Sequence, residues 1–139
     1  MKPRFVLDAW AMLALLQGEE PAASRVRQLL ESAQGGESEL FISIINLGEV
    51  AYCVGRVEGE KAAWTTLDEI RRLALTVAPA TDERVLSAAR LKMRYAISYA
   101  DAFAAALAQE LGAVLVSGDP ELGALRDEIV LERLERSRG

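Results

Sequence analysis

Histidine is absent from this chain, and cysteine occurs once, at Cys53. With one cysteine no internal disulfide can form, and without histidine a zinc site of the Cys/His kind has too few ligands. A Ser-His-Asp triad and imidazole acid–base chemistry are excluded as well. Cys53 sits in the apolar stretch AYCV with no imidazole to activate it, so it reads as a small core residue rather than a nucleophile. Any catalysis must rest on carboxylates, a metal, or Lys, Arg, Tyr and Ser. No apolar run reaches the ~18 residues of a membrane helix. The opening MKPRFVLDAW meets its first acid too early for a secretory signal, so the expected location is the cytoplasm. Excess positive charge is lacking too: 16 Lys and Arg face 21 Asp and Glu, a net charge of −5. Nucleic-acid binders are usually basic, although a local patch can hold phosphate on an acidic protein. Arg90, Lys92 and Arg94 form one cationic cluster and Arg25 and Arg27 another. Each has an ordinary reading as a solvated helix face.

What is present suits one domain with one real core: 139 residues, 51% of them apolar and 27% charged. Short apolar runs alternate with helical patterns. Strands are expected over 4–8, 39–45 (ELFISII), 74–78 and 113–117, with a fifth at 129–131. Helices are expected over 9–17, from Pro21 to about 33, from Asn46 to Val57, over 60–72, from Thr81 to about 95, and from Ser98 to about Gly112. In the helix after Thr81, Val85, Leu86, Ala89 and Met93 are expected to face inward. A short helix follows Asp119-Pro120. The alternation predicts an α/β fold, a three-layer sandwich whose mainly parallel sheet of four or five strands has helices on both faces. A single domain over residues 1–131 is expected, with the tail ERLERSRG, residues 132–139, frayed.

In such a fold, ligands gather beyond the carboxyl ends of the strands. Asp8 ends the first strand, in FVLDAW, and Glu49 lies in the first turn after the second. Asp119 follows the fourth strand by two residues, and Asp101 opens the helix that feeds it. Each acid alone has a bland reading as a helix cap, with Asn46-Leu47-Gly48-Glu49 and Ser98-Tyr99-Ala100-Asp101 as capping boxes. Jointly they say more. Bringing several carboxylates within ~5 Å of one another raises their pKa values, and a cation relieves that cost. Hard oxygen ligands without His or Cys point to Mg²⁺, with Mn²⁺ as a substitute. VLDAW, INLGEVAY and YADAFAAALA also surround their acids with small or apolar residues, which surface caps do not need.

The pieces VLDAWAMLALL, ISIINLGEV, SYADAFAAALAQELGAVLVSGD and PEL, in this order and spacing, resemble the PIN-domain family, specifically its VapC-type ribonuclease toxins. The resemblance covers nearly all of residues 4–131. It implies a metal-dependent endoribonuclease with Asp8, Glu49, Asp101 and Asp119 as the acidic set and Asp8 and Asp101 as direct ligands. Ser117 stands where the family often has Thr or Ser, in a place to orient Asp119 or a water. It further implies an RNA substrate, a cognate antitoxin whose C-terminal segment covers the cleft, and a homodimer. Two positions depart from the pattern. Trp10 stands where a hydroxyl residue is common, and Leu122 where a Phe is common. Other readings are a phosphoryl-transfer domain and a non-catalytic module with the acids as caps. The first is disfavoured because Trp10 occupies the place of a second phosphatase Asp and no Lys follows the fourth strand.

Overall fold

Five short strands, β1 Arg4–Leu7, β2 Glu39–Ser43, β3 Thr76–Ala78, β4 Val114–Ser117 and β5 Val130–Arg133, pair side by side in the order β3-β2-β1-β4-β5. Every pairing is parallel. The structure is a computed structural model and describes residues 1–137. Among these residues six α-helices connect the strands: α1 Ala9–Gln17, α2 Ala22–Gln34, α3 Ile44–Glu58, α4 Glu60–Arg71, α5 Asp82–Arg94 and α6 Tyr99–Leu111. A 3₁₀ turn, Pro120–Leu125, follows β4.

The central strands carry apolar side chains on both faces, as a sheet covered on both sides requires. Val6 and Leu115 point into a core shared with α5, α6 and the 3₁₀ turn. Their neighbours Leu7 and Val116 point the other way, into a core shared with α1, α2, α3 and α4. All four are fully buried. The two cores make this the three-layer α/β/α sandwich expected, with an all-parallel sheet. Helix α6 can lie close on the sheet because its inner face is alanine: Ala102, Ala104 and Ala105 have no exposed surface. Among the described residues no helix is long and apolar enough to cross a membrane.

The strand order sets the position of everything that follows. From β1 the chain moves outward through β2 to β3, then returns across the sheet to β4 on the other side of β1. The carboxyl ends of β1 and β4 therefore flank the point where the winding reverses, the usual place for a ligand crevice in an open parallel sheet.

Three local expectations are corrected. Helix α3 begins at Ile44, not Asn46: the Ser43 hydroxyl accepts from the Ile45 amide, so Ser43 is the cap and ends β2. On α5 the buried residues are Ala88 and Leu91, with Val85 partly buried, whereas Leu86 and Met93 are 65% and 85% exposed. The sequence of α5 offers two apolar stripes at helical spacing, and close approach to α6 selects the one with the small Ala88. The tail from residue 132 is not frayed over its described part. Leu134 is buried, and its amide donates to the Ser117 carbonyl at 2.8 Å. The Glu135 carbonyl accepts from Ala22, and the Ser137 amide donates to the Glu20 carbonyl at 2.7 Å. Glu132 pairs with Arg25 through two contacts, 2.7 and 2.9 Å. One buried leucine and a run of backbone hydrogen bonds suffice to hold such a segment. Residues 138 and 139 of the tail lie outside the described residues.

Truncating Leu134 to Ala should therefore cost about 2–4 kcal/mol in urea unfolding, as for other buried leucines. Met93→Ala on the exposed stripe should stay within about 0.5 kcal/mol. Equal effects of the two would contradict this assignment of inside and outside.

Candidate metal centre

Asp8 follows β1 directly and caps α1, its Oδ1 accepting from the Ala11 amide at 2.9 Å. It is 2% exposed. The other oxygen, Oδ2, accepts a short hydrogen bond from the Ser117 hydroxyl at the end of β4. The same Ser117 oxygen accepts from the Asp119 amide at 3.0 Å. One hydroxyl thus links the acid after β1 to the turn that carries the acid after β4.

Asp119 caps the 3₁₀ turn, its side chain accepting from the Glu121 amide at 3.0 Å. That geometry turns Glu121 toward its neighbours. Carboxylate oxygens of Asp101, Asp119 and Glu121 all lie within 4.8 Å of one another. Asp101 reaches this group from α6, whose start is fixed by Ser98 accepting from the Asp101 amide at 3.1 Å. Asp101 is 7% exposed, and its Oδ2 is buried with no hydrogen-bond partner among the described residues. A second strut comes from α3. Asn46 is fully buried, and its Nδ2 donates to the Ala100 carbonyl, one residue before Asp101, at 3.1 Å.

The electrostatics follow from crowding and burial. Burial pushes the Asp8 carboxyl up to about 7, against the hydrogen bonds from Ser117 and Ala11, and the charges of Asp119 and Glu49 add to the rise. Asp101 is likewise raised to about 7, first by burial and then by Asp119 and Asp8. The half-buried Glu49 is raised by burial and by Asp119. The rise of each pKa reports an unmet demand for positive charge.

The structure therefore brings Asp8, Asp101 and Asp119 to one edge with Ser117 between them, and sets Glu49 at the margin within reach of the Asp119 field. The tight oxygen group, however, contains Glu121, which the sequence reading left without a role. No helical periodicity marks it, because residues two apart in a 3₁₀ turn point about 120° apart, and only the cap geometry brings the two carboxylates together. Asn46 does not cap its own helix: its side-chain amide bonds across to α6 instead. Three hard oxygen donors and an orphaned buried carboxylate oxygen fit a divalent cation of the Mg²⁺ type, which needs only a few protein ligands and keeps its remaining waters.

Four residues of the two cationic clusters find partners nearby. Arg25 pairs with Glu132, Arg27 with Glu20 and Arg94 with Glu128, while Lys92 donates to the Ile97 carbonyl. These pairs favour the solvated-face reading. Beside Glu49 an apolar groove of about 510 Å³ runs between α3 and α4, lined by Leu47, Ala51, Tyr52, Arg56, Trp64 and Leu67.

The PIN domain family matches residues 5–128. This chain belongs to the PIN domain family. Among curated proteins none matches it. Solved structures share its fold at low sequence identity. VapBC2 from Rickettsia felis, bound to a DNA fragment from their promoter, aligns at TM-score 0.73 and 17% identity over 95% of this chain and 99% of that one. DNA-bound VapBC from Salmonella typhimurium gives 0.72 and 17% over 94% and 98%. Mycobacterium tuberculosis VapC20, a Sarcin-Ricin loop cleaving toxin, gives 0.71 and 20% over 93% and 98%.

The raised acids fix the sign of a pH effect. Asp8 and Asp101 titrate from 3.8 in the unfolded chain to about 7 in the folded one. Between those values the folded state binds more protons, so stability falls as pH rises. Metal-free protein should lose melting temperature from pH 4 to pH 7, and Asp101→Asn should flatten that slope. At pH 8, Mn²⁺ at 100 times its Kd should restore about 2.7 kcal/mol in the parent protein and far less in Asp101→Asn. A Mn²⁺ response equal in both proteins would count against this centre.

Proposed function

We propose that the protein is a divalent-metal-dependent endoribonuclease, the VapC-type toxin of a toxin–antitoxin pair. The observation that carries this reading is the convergence of Asp101, Asp119 and Glu121 in front of the buried Asp8 and Ser117, at the sheet's reversal point, in a PIN-family chain. Asp8 and Asp101 are the direct ligands the family resemblance implies, with Asp119 and Glu49 completing its acidic set, and Glu121 would join Asp101 and Asp119 around the ion. Mg²⁺ is the expected ion and Mn²⁺ a substitute. When bound, the ion lowers the pKa of a coordinated water and offsets charge on the phosphate.

The chain's own groups prepare the rest. Ser117 keeps the Asp8 carboxylate turned toward β4, and Asn46 and Ser98 hold the start of α6, so the acids meet a substrate without rearrangement. Arg133 is the last residue of β5, in register with Ser117, and Arg136 follows in the tail. Arg133 would be one cation on this side able to meet an RNA backbone.

The fold neighbours that are VapBC complexes support an antitoxin as protein partner. The groove beside Glu49 suits an apolar helical segment, and an arginine delivered from such a segment would meet the acids by a charge-assisted contact. A homodimer remains part of the proposal.

Expression in bacteria should arrest growth, and Asp8→Asn or Asp101→Asn should lift the arrest. In vitro the same variants should lower Mg²⁺-dependent RNA cleavage by roughly 100-fold or more. Mapping the cut ends should show 5′-phosphates and identify the target. Cleavage at parental rate by both variants would end this reading.

A further inference from the structure

The departure at Trp10 has a structural counterpart at Gly118. Trp10 lies in the first turn of α1, two residues after Asp8, and Gly118 is the link between Ser117 and Asp119. A Cβ placed on Gly118 would fall on the six-membered ring of Trp10, meeting Cη2, Cζ2 and Cζ3 all closer than the 3.0 Å that real Cβ atoms respect. Gly118 is not among the glycines of positive φ. Its lack of a side chain is therefore required by the indole and not by its own backbone conformation. On Trp10 the Arg136 guanidinium sits 5.3 Å from a ring centroid, a cation–π distance. Arg136 is in turn placed by an isolated backbone bridge to Pro21 and by a loose pair with Glu19.

We propose that Trp10 is a positioning residue for Asp119, acting through Gly118. The turn from Ser117 to Asp119 hinges on the residue type with the greatest backbone freedom. Its two ends are tied by the Ser117 hydroxyl, which bonds Asp8 on one side and the Asp119 amide on the other. Over its middle lies the ring of Trp10, while the Leu134 amide holds the Ser117 carbonyl that enters Gly118. The indole removes the freedom that glycine admits and sets the height at which the Asp119 carboxylate faces Asp101. Because the ring rises from the turn after Asp8, it also fixes Asp119 relative to Asp8 across the β1–β4 reversal point. Asp119 belongs to the centre proposed above, so the role assigned to Trp10 rests on that reading, but the lock itself is a feature of the metal-free chain.

Two measurements on Trp10→Ala and Gly118→Ala separate the lock from ordinary packing. The first is amide hydrogen exchange in metal-free protein, with the β4 amides as internal reference for global opening. Asp119 and Glu121 amides should exchange at least ~10-fold faster in Trp10→Ala relative to that reference. Gly118→Ala should have the same effect in the parent, because the new methyl displaces the ring, and little further effect when added to Trp10→Ala. The second is Mn²⁺ affinity, which should weaken by ~10-fold or more in either single variant. Unchanged relative exchange at Asp119 and Glu121, or a Gly118→Ala effect of equal size with and without Trp10, overturns the lock. Faster exchange with Mn²⁺ affinity unchanged overturns its role in the centre. If the parent protein binds no Mn²⁺ while exchange responds as described, the nuclease reading falls and the lock stands.

Discussion

The structure turns on one hydroxyl. Ser117 donates to the buried Asp8 and accepts from the Asp119 amide, and so joins the ends of β1 and β4 where the sheet changes direction. Without such a link two acids after adjacent parallel strands would repel and turn outward to water. With it, Asp8 stays buried despite the cost of desolvation, and Asp119 is held close enough to raise the pKa of three other acids. The cost is borne by the scaffold: both sheet faces are packed, and the two central strands contribute fully buried residues to each core. A loosely packed edge could not keep several partly desolvated carboxylates in place.

Capping and cation binding are not rival descriptions of these acids. Asp8 caps α1 with one oxygen and presents the other to Ser117. Asp119 caps the 3₁₀ turn and still offers an oxygen to the group with Asp101 and Glu121. The amide contacts offset part of the desolvation and fix the side-chain rotamers. Asp101 differs, since its own amide is capped by Ser98 while its buried Oδ2 has no hydrogen-bond partner among the described residues. It is the acid whose environment most requires an external positive charge.

The sandwich was legible in the sequence because it is written in local periodicity. Short apolar runs such as FVL and VLVS alternate with helical segments, and parallel strands covered on both faces need such runs. The gathering of Asp8, Asp101 and Asp119 was legible because strand ends in this class point to one edge. What stayed hidden depended on contacts between distant segments. Glu121 looked like a surface acid until the 3₁₀ turn brought it beside Asp119. Asn46 looked like a cap until its amide was found on Ala100. The inward face of α5 was ambiguous because Leu86 and Met93 form a second apolar stripe, and only the fit against α6 decides between them. The tail ERLERSRG carries too little apolar material to announce itself, yet its one buried leucine and its backbone bonds to Ser117 and Glu20 hold it down.

The placement of β1 in the middle of the sheet has a consequence for how the molecule comes into being. Its neighbour β4 lies more than a hundred residues later, and Asp119 and Glu121 later still. A ribosome adding about 5–20 residues per second therefore spends most of its passage on a nascent polypeptide that has its first acid but no place for an ion. Prematurely terminated products ending before β4 carry none of the assembled centre. Assembly of the acidic group thus waits on the C-terminal part of the chain, and it can form only once β4 has paired with β1.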